Sequence, residues 1–515
     1  MNLRQLAKLQ AFLLCPLAGC ATVDPRADFD RTGQHVEAAT GTATLYRPED
    51  EAAIEQRVAA LLSEGLTADE AVQVALLNNP RLQAALMRLG ITRADFVQSG
   101  LFTNPNLSLS LRWPDGGGLT NLQAGLAQNI AELWQISYRK QAAEHELDRT
   151  ILELAREASL LSLDARVAYW RAVRNDRERE LACENLALTQ RLIDVAISRR
   201  DAGAGSDVDV NLARSQHIDV ELKLRNASLA AIEAHAALAK SLGLTTPPKE
   251  IVLVDALVEP GTWTLTPEAV IAAAMENRLD VQATKRAIAA ANARVAYEKS
   301  RYLRSFELGL SAERSARNSR GDRDWLEETA FTSAQSGQLT PPNLQPRDKQ
   351  STDWVVGPEI GVELPIFDQN QAQIARSEYV HRQGVKLLDA LERELTQDAY
   401  VALERAQAAA ENAHFYKESA LPLREQGLTL AQGAYTAGRT TLLSVQEAQR
   451  LLLAARFGYV EAITNHVLAI VELERVAGLP HTKLVATSAR FNAIDPTATE
   501  NPVTSPASEP AENKP

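Results

Sequence analysis

The sequence predicts a mainly α-helical, internally duplicated chain with a small transmembrane β part, on three observations. Long intervals are Ala/Leu-rich, carry apolar residues at helical spacing and contain little Gly or Pro. One pattern occurs twice, as LTADEAVQVALLNNPRLQAAL from Leu66 and LTPEAVIAAAMENRLDVQATK from Leu265, in register to within a residue or so. Four short segments that alternate apolar and polar residues interrupt the helices, two in each copy. NLSLSLRW at Asn106–Trp113 is the clearest of them.

Residues 1–19 read as a secretory signal, with Arg4 and Lys8 ahead of an apolar run too short to cross a bilayer. The ending Leu17-Ala18-Gly19-Cys20 resembles the bacterial lipobox, which implies cleavage before Cys20 and acylation (palmitate) of that residue. Ala21 follows instead of the Asp that retains lipoproteins at the inner membrane, so outer-membrane sorting is expected. An ordinary signal peptide that happens to end near a cysteine is the alternative. Of three cysteines only Cys183 then remains as a thiol, so no internal disulfide forms, and its helix-forming neighbours suggest an inert core residue. An N-terminal segment, 20–65, precedes the first repeat.

The first repeat spans 66–258. Thr67 and Glu70 resemble a capping box and start a helix at about 66–100. Strands follow at about 106–113 and 119–130, the second with Leu122, Ala124 and Leu126 on one face. A stretch from Ser137 to Ala202 without Gly or Pro predicts one helix of roughly 65 residues, about 100 Å long, and a returning helix at about 207–242 completes a helical hairpin over 137–242.

The second repeat, 259–478, follows the same order. Thr266 and Pro267 start a helix at about 267–302. Strands are expected at about 305–313, with Phe306, Leu308 and Leu310 outward, and at about 353–364, with Trp354, Val356, Ile360 and Val362 outward. Glu307, Glu313, Glu359 and Glu363 take the opposite faces. The helical hairpin spans 369–477: a long segment at about 369–437 is interrupted by Gly384, Pro422, Gly427 and Gly433, with a kink at Pro422, and a helix at 440–477 returns.

Apolar-out, polar-in strands of this length are the signature of a transmembrane β-barrel, and Trp113, Trp354 and Trp134 sit where interfacial girdles belong. A soluble two-layer sheet would alternate as well, but the duplication and the lipoprotein signal favour the barrel. Four strands cannot close one, so several copies must share it.

Between the third and fourth strands, Arg314–Thr352 reads as an extracellular loop or cap, and its GDRD at Gly321 as polar loop, not a metal site. The link at about 242–265 joins the repeats. A disordered tail is expected over 479–515, without any core pattern after about Phe491.

The formal charge is −12, and loss of Arg4 and Lys8 makes the mature chain more acidic, which argues against nucleic-acid binding. After the signal no uncharged apolar stretch reaches the length of a spanning helix. The eight histidines form no HExxH, and CxxC, phosphate-loop and nucleophile-elbow motifs are missing. No catalytic, cofactor-binding or metal site is expected, and the chain is not expected to be an enzyme.

The duplicated order helix, strand, strand, helix, helix, with NNPRL and ENRLDV near the repeat starts, LPIFDQNQAQIARSE after the fourth strand and AYTAGRTTLLSVQEAQRLL near the end, resembles the TolC family of outer-membrane efflux proteins over about Leu66–Gly478. The resemblance implies a homotrimer. Its strands would share a twelve-stranded barrel in outer-membrane lipid, continued by a helical coiled-coil barrel into the periplasm. It also implies a periplasmic adaptor (membrane fusion) protein and an inner-membrane efflux transporter as partners, in a tripartite system whose outer channel is passive.

The turns DAGAGSDVDVNLARS and TAGRTTLLSVQEAQ would then form the periplasmic tip. Gly203, Gly205 and Gly438 suit positive φ, while Ser206 or Asp207 and Thr440 or Thr441 suit helix caps. By the resemblance, Gly203, Gly205, Asp207, Gly438, Arg439, Thr440 and Thr441 lie where the adaptor docks. Ser444 and Glu447 fall where family members often carry paired acidic constriction residues. Ser444 departs from that pattern, and Asp209 takes the corresponding place in the first repeat.

Type I protein secretion through the same channel is the near alternative, and a lipid-anchored periplasmic coiled-coil scaffold the distant one. The cargo is not legible, and the missing His/Cys/Met clusters lend no support to a metal.

Overall fold

A computed structural model describes residues 21–113, 120–245, 247, 250–261, 265–317, 321–339 and 351–486. The expected signal, the expected acylation site Cys20 and residues beyond 486 lie outside these. The chain divides into two compact units, each drawing on both repeats.

In one unit, residues 94–146 and 287–384, an antiparallel sheet has the order β1-β2-β3-β4: β1 Asn106–Arg112, β2 Asn121–Asn129, β3 Phe306–Arg317 and β4 Ser351–Val362. The register aligns like with like. Leu107, Leu126, Leu310 and Pro358 form one row across the sheet, and Leu109, Ala124, Ala312 and Val356 form another. Leu107 is 74% exposed, Leu310 55% and Ile360 64%, so the apolar face has no cover among the described residues. Among the described residues, β1 and β4 each lack a neighbour on their outer side.

The approach to the sheet is pinned by side chains. Glu132 accepts hydrogen bonds from the Thr103 N–H (2.7 Å) and hydroxyl (2.5 Å), and Arg139 donates to the Ser99 and Leu101 carbonyls. At the exit from β4, Asn370 adopts φ +63°. Its amide donates to the Glu298 carbonyl and carboxylate, both at 2.8 Å, and both residues are buried.

The expected strand limits hold to within a few residues, although Leu119 is not among the described residues. The interval after β3 is not purely a loop: β3 runs on to Arg317, and Gly321–Ser336 is a helix that opens on GDRD.

In the other unit, residues 23–93, 147–286 and 385 onward, the helices pack through small residues and leucines. The N-terminal segment, left unassigned by the sequence, contains α1 (Arg26–Thr40) and α2 (Glu51–Ser63). Asp28 of α1 is buried in an ion pair of 2.8 Å with Arg93. Each repeat then opens with two helices where one was expected: α3 (Ala68–Asn78) and α4 (Pro80–Ser99), then α7 (Pro267–Asn277) and α8 (Leu279–Ser300).

The breaks are equivalent. Asn79 (ψ 114°) and Arg278 (ψ 123°) leave the helical region at the same place in each copy. Thr67 and Glu70 form the expected capping box, and Thr266 caps α7. Asn78 and Asn79 donate to the carbonyls of Leu242, Gly243 and Ser241, which ties the repeat's start to the end of its returning helix.

The long helix α5 runs unbroken for 70 residues, Glu132–Asp201, and α6 occupies Asp207–Leu242. In the second repeat the path is α10 (Gln371–Phe415), a π-helical turn at Tyr416–Ala420, α11 (Leu421–Thr436) and α12 (Leu442–Ala477). α9 is the Gly321–Ser336 helix. Gly384, Gly427 and Gly433 stay inside helices, and the irregularity falls just before Pro422. Pro is tolerated in a first turn, and a single Gly costs a helix only about 1 kcal/mol.

Two further expectations are corrected. The segment from 479 is folded through residue 486: His481 donates its N–H to the buried Glu474 carboxylate at 2.7 Å, and Leu484 is 1% exposed in a cluster with Leu265 and Leu473. Cys183 is exposed, because its position on α5 faces away from the flanking core residues Leu181 and Ala182.

Candidate functional site

The turns that follow α5 and α11 are built alike. α5 ends with Gly203 at φ +73°, whose N–H reaches the Arg200 carbonyl while that of Ala204 reaches Arg199 (2.8 Å). α11 ends with Gly438 at φ +71°, whose N–H reaches Tyr435 while that of Arg439 reaches Ala434 (2.8 Å). Both are Schellman motifs, in which a left-handed residue lets the chain turn back onto the last helical carbonyls. Gly205 differs from expectation: its φ is not positive. It is glycine because a Cβ would sit 3.0 Å from the Arg200 nitrogen.

Ser206 caps α6 in a full capping box with Asp209, so the Asp209 carboxylate already accepts bonds from the Ser206 N–H (3.2 Å) and hydroxyl (3.1 Å). Asp207 lies 3.5 Å from Arg200. Thr441 holds the corresponding cap position of α12 without bonding a helix N–H through its side chain. Ser444 stands three residues on, as Asp209 does in α6. It accepts from the Thr440 hydroxyl at 2.8 Å, so a hydroxyl pair replaces the carboxylate of the first repeat.

Glu447, one turn further, pairs with Arg450 at 2.6 and 2.9 Å, and this guanidinium holds its carboxyl below the usual range. Arg439 is exposed.

Sequence reasoning missed Arg199. Its guanidinium donates to the Tyr435 carbonyl (2.6 Å), the Thr436 carbonyl (3.2 Å) and the Ala204 carbonyl (3.0 Å), and it stacks 4.6 Å from the Tyr435 ring. One side chain thus bonds carbonyls of both turns. Tyr435 is buried, and burial first, then the nearby Asp209 charge, pushes its phenol up. Leu192, Ile193, Val210, Leu442 and Val445 form the core beneath. An arginine two residues before a helix end is a weak signal, because arginine suits any helix C-terminus.

Among the described residues no group of three or more His, Cys, Asp or Glu side chains is placed to hold a metal ion, and no helix is long and apolar enough to cross a membrane.

Residues 270–479 match the family described as outer membrane efflux protein. The cobalt-zinc-cadmium resistance protein CzcC of Cupriavidus metallidurans is 26% identical over 305 residues, a match covering 58% of this chain and 63% of that protein. Among solved structures, the outer-membrane channel OprN superposes with TM-score 0.61 at 17% identity, covering 86% of this chain and 95% of its own. VceC of Vibrio cholerae superposes with TM-score 0.59 at 18% identity, covering 80% and 96%. The family match thus falls on the second repeat, and the fold is similar to that of outer-membrane channels of known structure.

Proposed function

We propose that the chain is the outer-membrane channel of a tripartite efflux system, a homotrimer that passively conducts substrate delivered by a periplasmic adaptor and an inner-membrane transporter. The observation that carries this reading is the sheet. Its face of Leu107, Leu109, Leu310, Val356 and Ile360 is exposed, and both outer edges are unpaired among the described residues. Unpaired backbone is not tolerated in lipid, so further copies must complete the ladder, and three sheets of four strands give a closed barrel of twelve.

Acylated Cys20 adds an anchor to the same membrane. In the helical unit, Gly203, Gly205, Asp207, Gly438, Arg439, Thr440 and Thr441 offer the adaptor two similar turns. Asp209, Ser444 and Glu447 line the constriction, where a ring of carboxylates favours cations. Likeness to a cobalt-zinc-cadmium resistance protein supports divalent cations as cargo.

The test is the mass of the detergent-extracted particle, corrected for bound detergent, for a Cys20→Ser variant exported behind a cleavable signal, followed by conductance in planar bilayers. A detergent-requiring trimer that conducts supports the reading. A monomer soluble without detergent overturns it. Cargo is tested separately, by restoring cobalt, zinc or cadmium tolerance to cells that lack their own outer channel.

A further inference from the structure

In the helical unit a cleft of about 790 Å³ opens between α5, the linker that joins the repeats, α11 and α12. Its walls are apolar: Val173 and Leu181 of α5, Leu253 and Leu257 of the linker, and Val460 and Ile463 of α12. The four helical side chains among these are buried. A concave, apolar space of this size is what a small-molecule site requires.

The linker wall is fixed on both sides of the cleft. Leu66 donates its N–H to the Val252 carbonyl at 2.8 Å and accepts from the Val254 N–H at 3.0 Å. The Tyr169 hydroxyl donates to the Leu66 carbonyl (2.8 Å) and accepts from the Asp255 N–H (3.1 Å). Further along, Glu259 pairs with Lys417 at 2.5 Å and accepts from the Tyr459 hydroxyl at 3.3 Å. The wall is in place before any guest arrives, which lowers the ordering cost of binding.

Charge at the cleft is unbalanced, with six carboxylates and three guanidiniums lining it. Arg456 reaches Glu184 of α5 (3.5 Å) and Glu425 of α11 (3.3 Å), while Arg177 reaches Glu180 (2.8 Å) and again Glu184 (3.6 Å). Two guanidiniums are thus shared among three carboxylates, each about half exposed at the mouth. Of the remaining acids, Asp176 has His235 and Arg179 beside it, Glu259 has Lys417, and Asp255 accepts from the Ala68 N–H. A cation arriving at the mouth meets excess negative charge, whereas an anion meets guanidiniums already paired. The apolar interior does not suit a bare metal ion, and among the described residues no three ligands are placed for one.

We propose that this cleft is a binding site for an organic cation with an apolar body. The body lies between α5, the linker and α12, and the charge rests between Glu184 and Glu425 at the mouth. One chain builds the whole site, so it stands apart from the reading of that chain as a duct.

The probes are tetraphenylphosphonium and tetraphenylborate, alike in shape and opposite in charge. Equilibrium dialysis of the detergent-extracted full-length protein, against protein-free micelles as blank, measures their binding. The phosphonium saturates at one per chain and the borate does not saturate. Val460→Trp fills the cleft and abolishes the phosphonium binding. Glu184→Gln with Glu425→Gln leaves the walls intact and uncovers Arg456. This pair weakens the phosphonium about fivefold, as loss of two partly exposed charge partners should, and shifts the preference toward the borate.

No saturable phosphonium binding, or equal binding of both ions, overturns the proposal. Binding that survives in folded Val460→Trp protein overturns it as well, since the probe then sits elsewhere. Should that variant not fold, the glutamine pair decides: an unchanged preference between the two ions removes the cleft as the site.

Discussion

Gly478 lies against Arg278 so closely that, at its φ of +72°, a Cβ would stand 3.0 Å from the Arg278 α carbon. Gly243, at φ +69°, stands in the same relation to the first repeat, where a Cβ would come 2.7 Å from the Asn78 carbonyl oxygen. In each copy the glycine that ends the returning helix packs on the break between the two opening helices. That contact explains why NNPRL and ENRLDV occupy matching places.

Gly243→Ala should therefore cost about 2–4 kcal/mol, the sum of a left-handed alanine and an overpacked contact. Gly203→Ala has the same backbone conformation with nothing within 4 Å of the added Cβ. It should cost only about 1–2 kcal/mol. Thermal unfolding of the two variants side by side checks the order, and equal losses would show that the contact does not matter.

Arg199→Lys keeps the charge but cannot reach three carbonyls and stack on Tyr435 together. The turns after α5 and α11 should loosen without loss of the helical unit. Hydrogen exchange of residues 434–441 should speed up while that of residues 147–173 stays as it is. Unchanged exchange at the turn would mean that Arg199 is incidental.

Glu447→Ala should lower conductance or cation selectivity, and Arg450→Ala should strengthen selectivity by uncovering the carboxylate. The pH dependence has a definite sign. Arg450 depresses the Glu447 pKa, so the negative charge is present above the ordinary glutamate range and is lost only as pH falls through the depressed value. In Arg450→Ala the loss should come at higher pH. Reversal potentials titrated from neutral to acid pH measure it, and identical titrations would remove Glu447 from the pore.

His466 is buried on α12, and its pKa is lowered chiefly by burial, against a hydrogen bond with the Ala406 backbone; His481 and His414 add repulsion. His481 is lowered likewise by burial, with Glu474 opposing. A histidine with a depressed folded pKa takes up its proton first in the unfolded chain. Stability is then full above the unfolded value of about 6.5 and declines below it, by about 1.4 kcal/mol for every tenfold loss of proton affinity on folding. The melting temperature should fall between neutral pH and pH 5, less steeply in His466→Gln. An equal slope would place the acid sensitivity elsewhere.

Much of this architecture was legible because local pattern and tertiary role agree. Strand alternation in NLSLSLRW survives as the register of the sheet, and α6 begins and ends at the expected residues because Ser206 and Gly243 are strong terminal signals. Other features depend on contacts distant in sequence. The break at Arg278 has neither Pro nor Gly and is visible only through its likeness to Asn79-Pro80.

The first two helices are fixed by pairs such as Asp28 with Arg93, which no local window reveals. In the candidate site the glycines and caps could be read, whereas Arg199 could not: its role exists only once Tyr435, more than two hundred residues away, is beside it.

The open edges of β1 and β4 also bear on inheritance. If three copies close one barrel, every copy lends an edge to each of its neighbours, and one faulty chain spoils two good ones. When half the chains in a cell carry a damaged β1, random mixing leaves roughly one assembly in eight untouched. Edge mutations should then be dominant over the wild-type gene, while changes confined to a single chain's interior should be recessive.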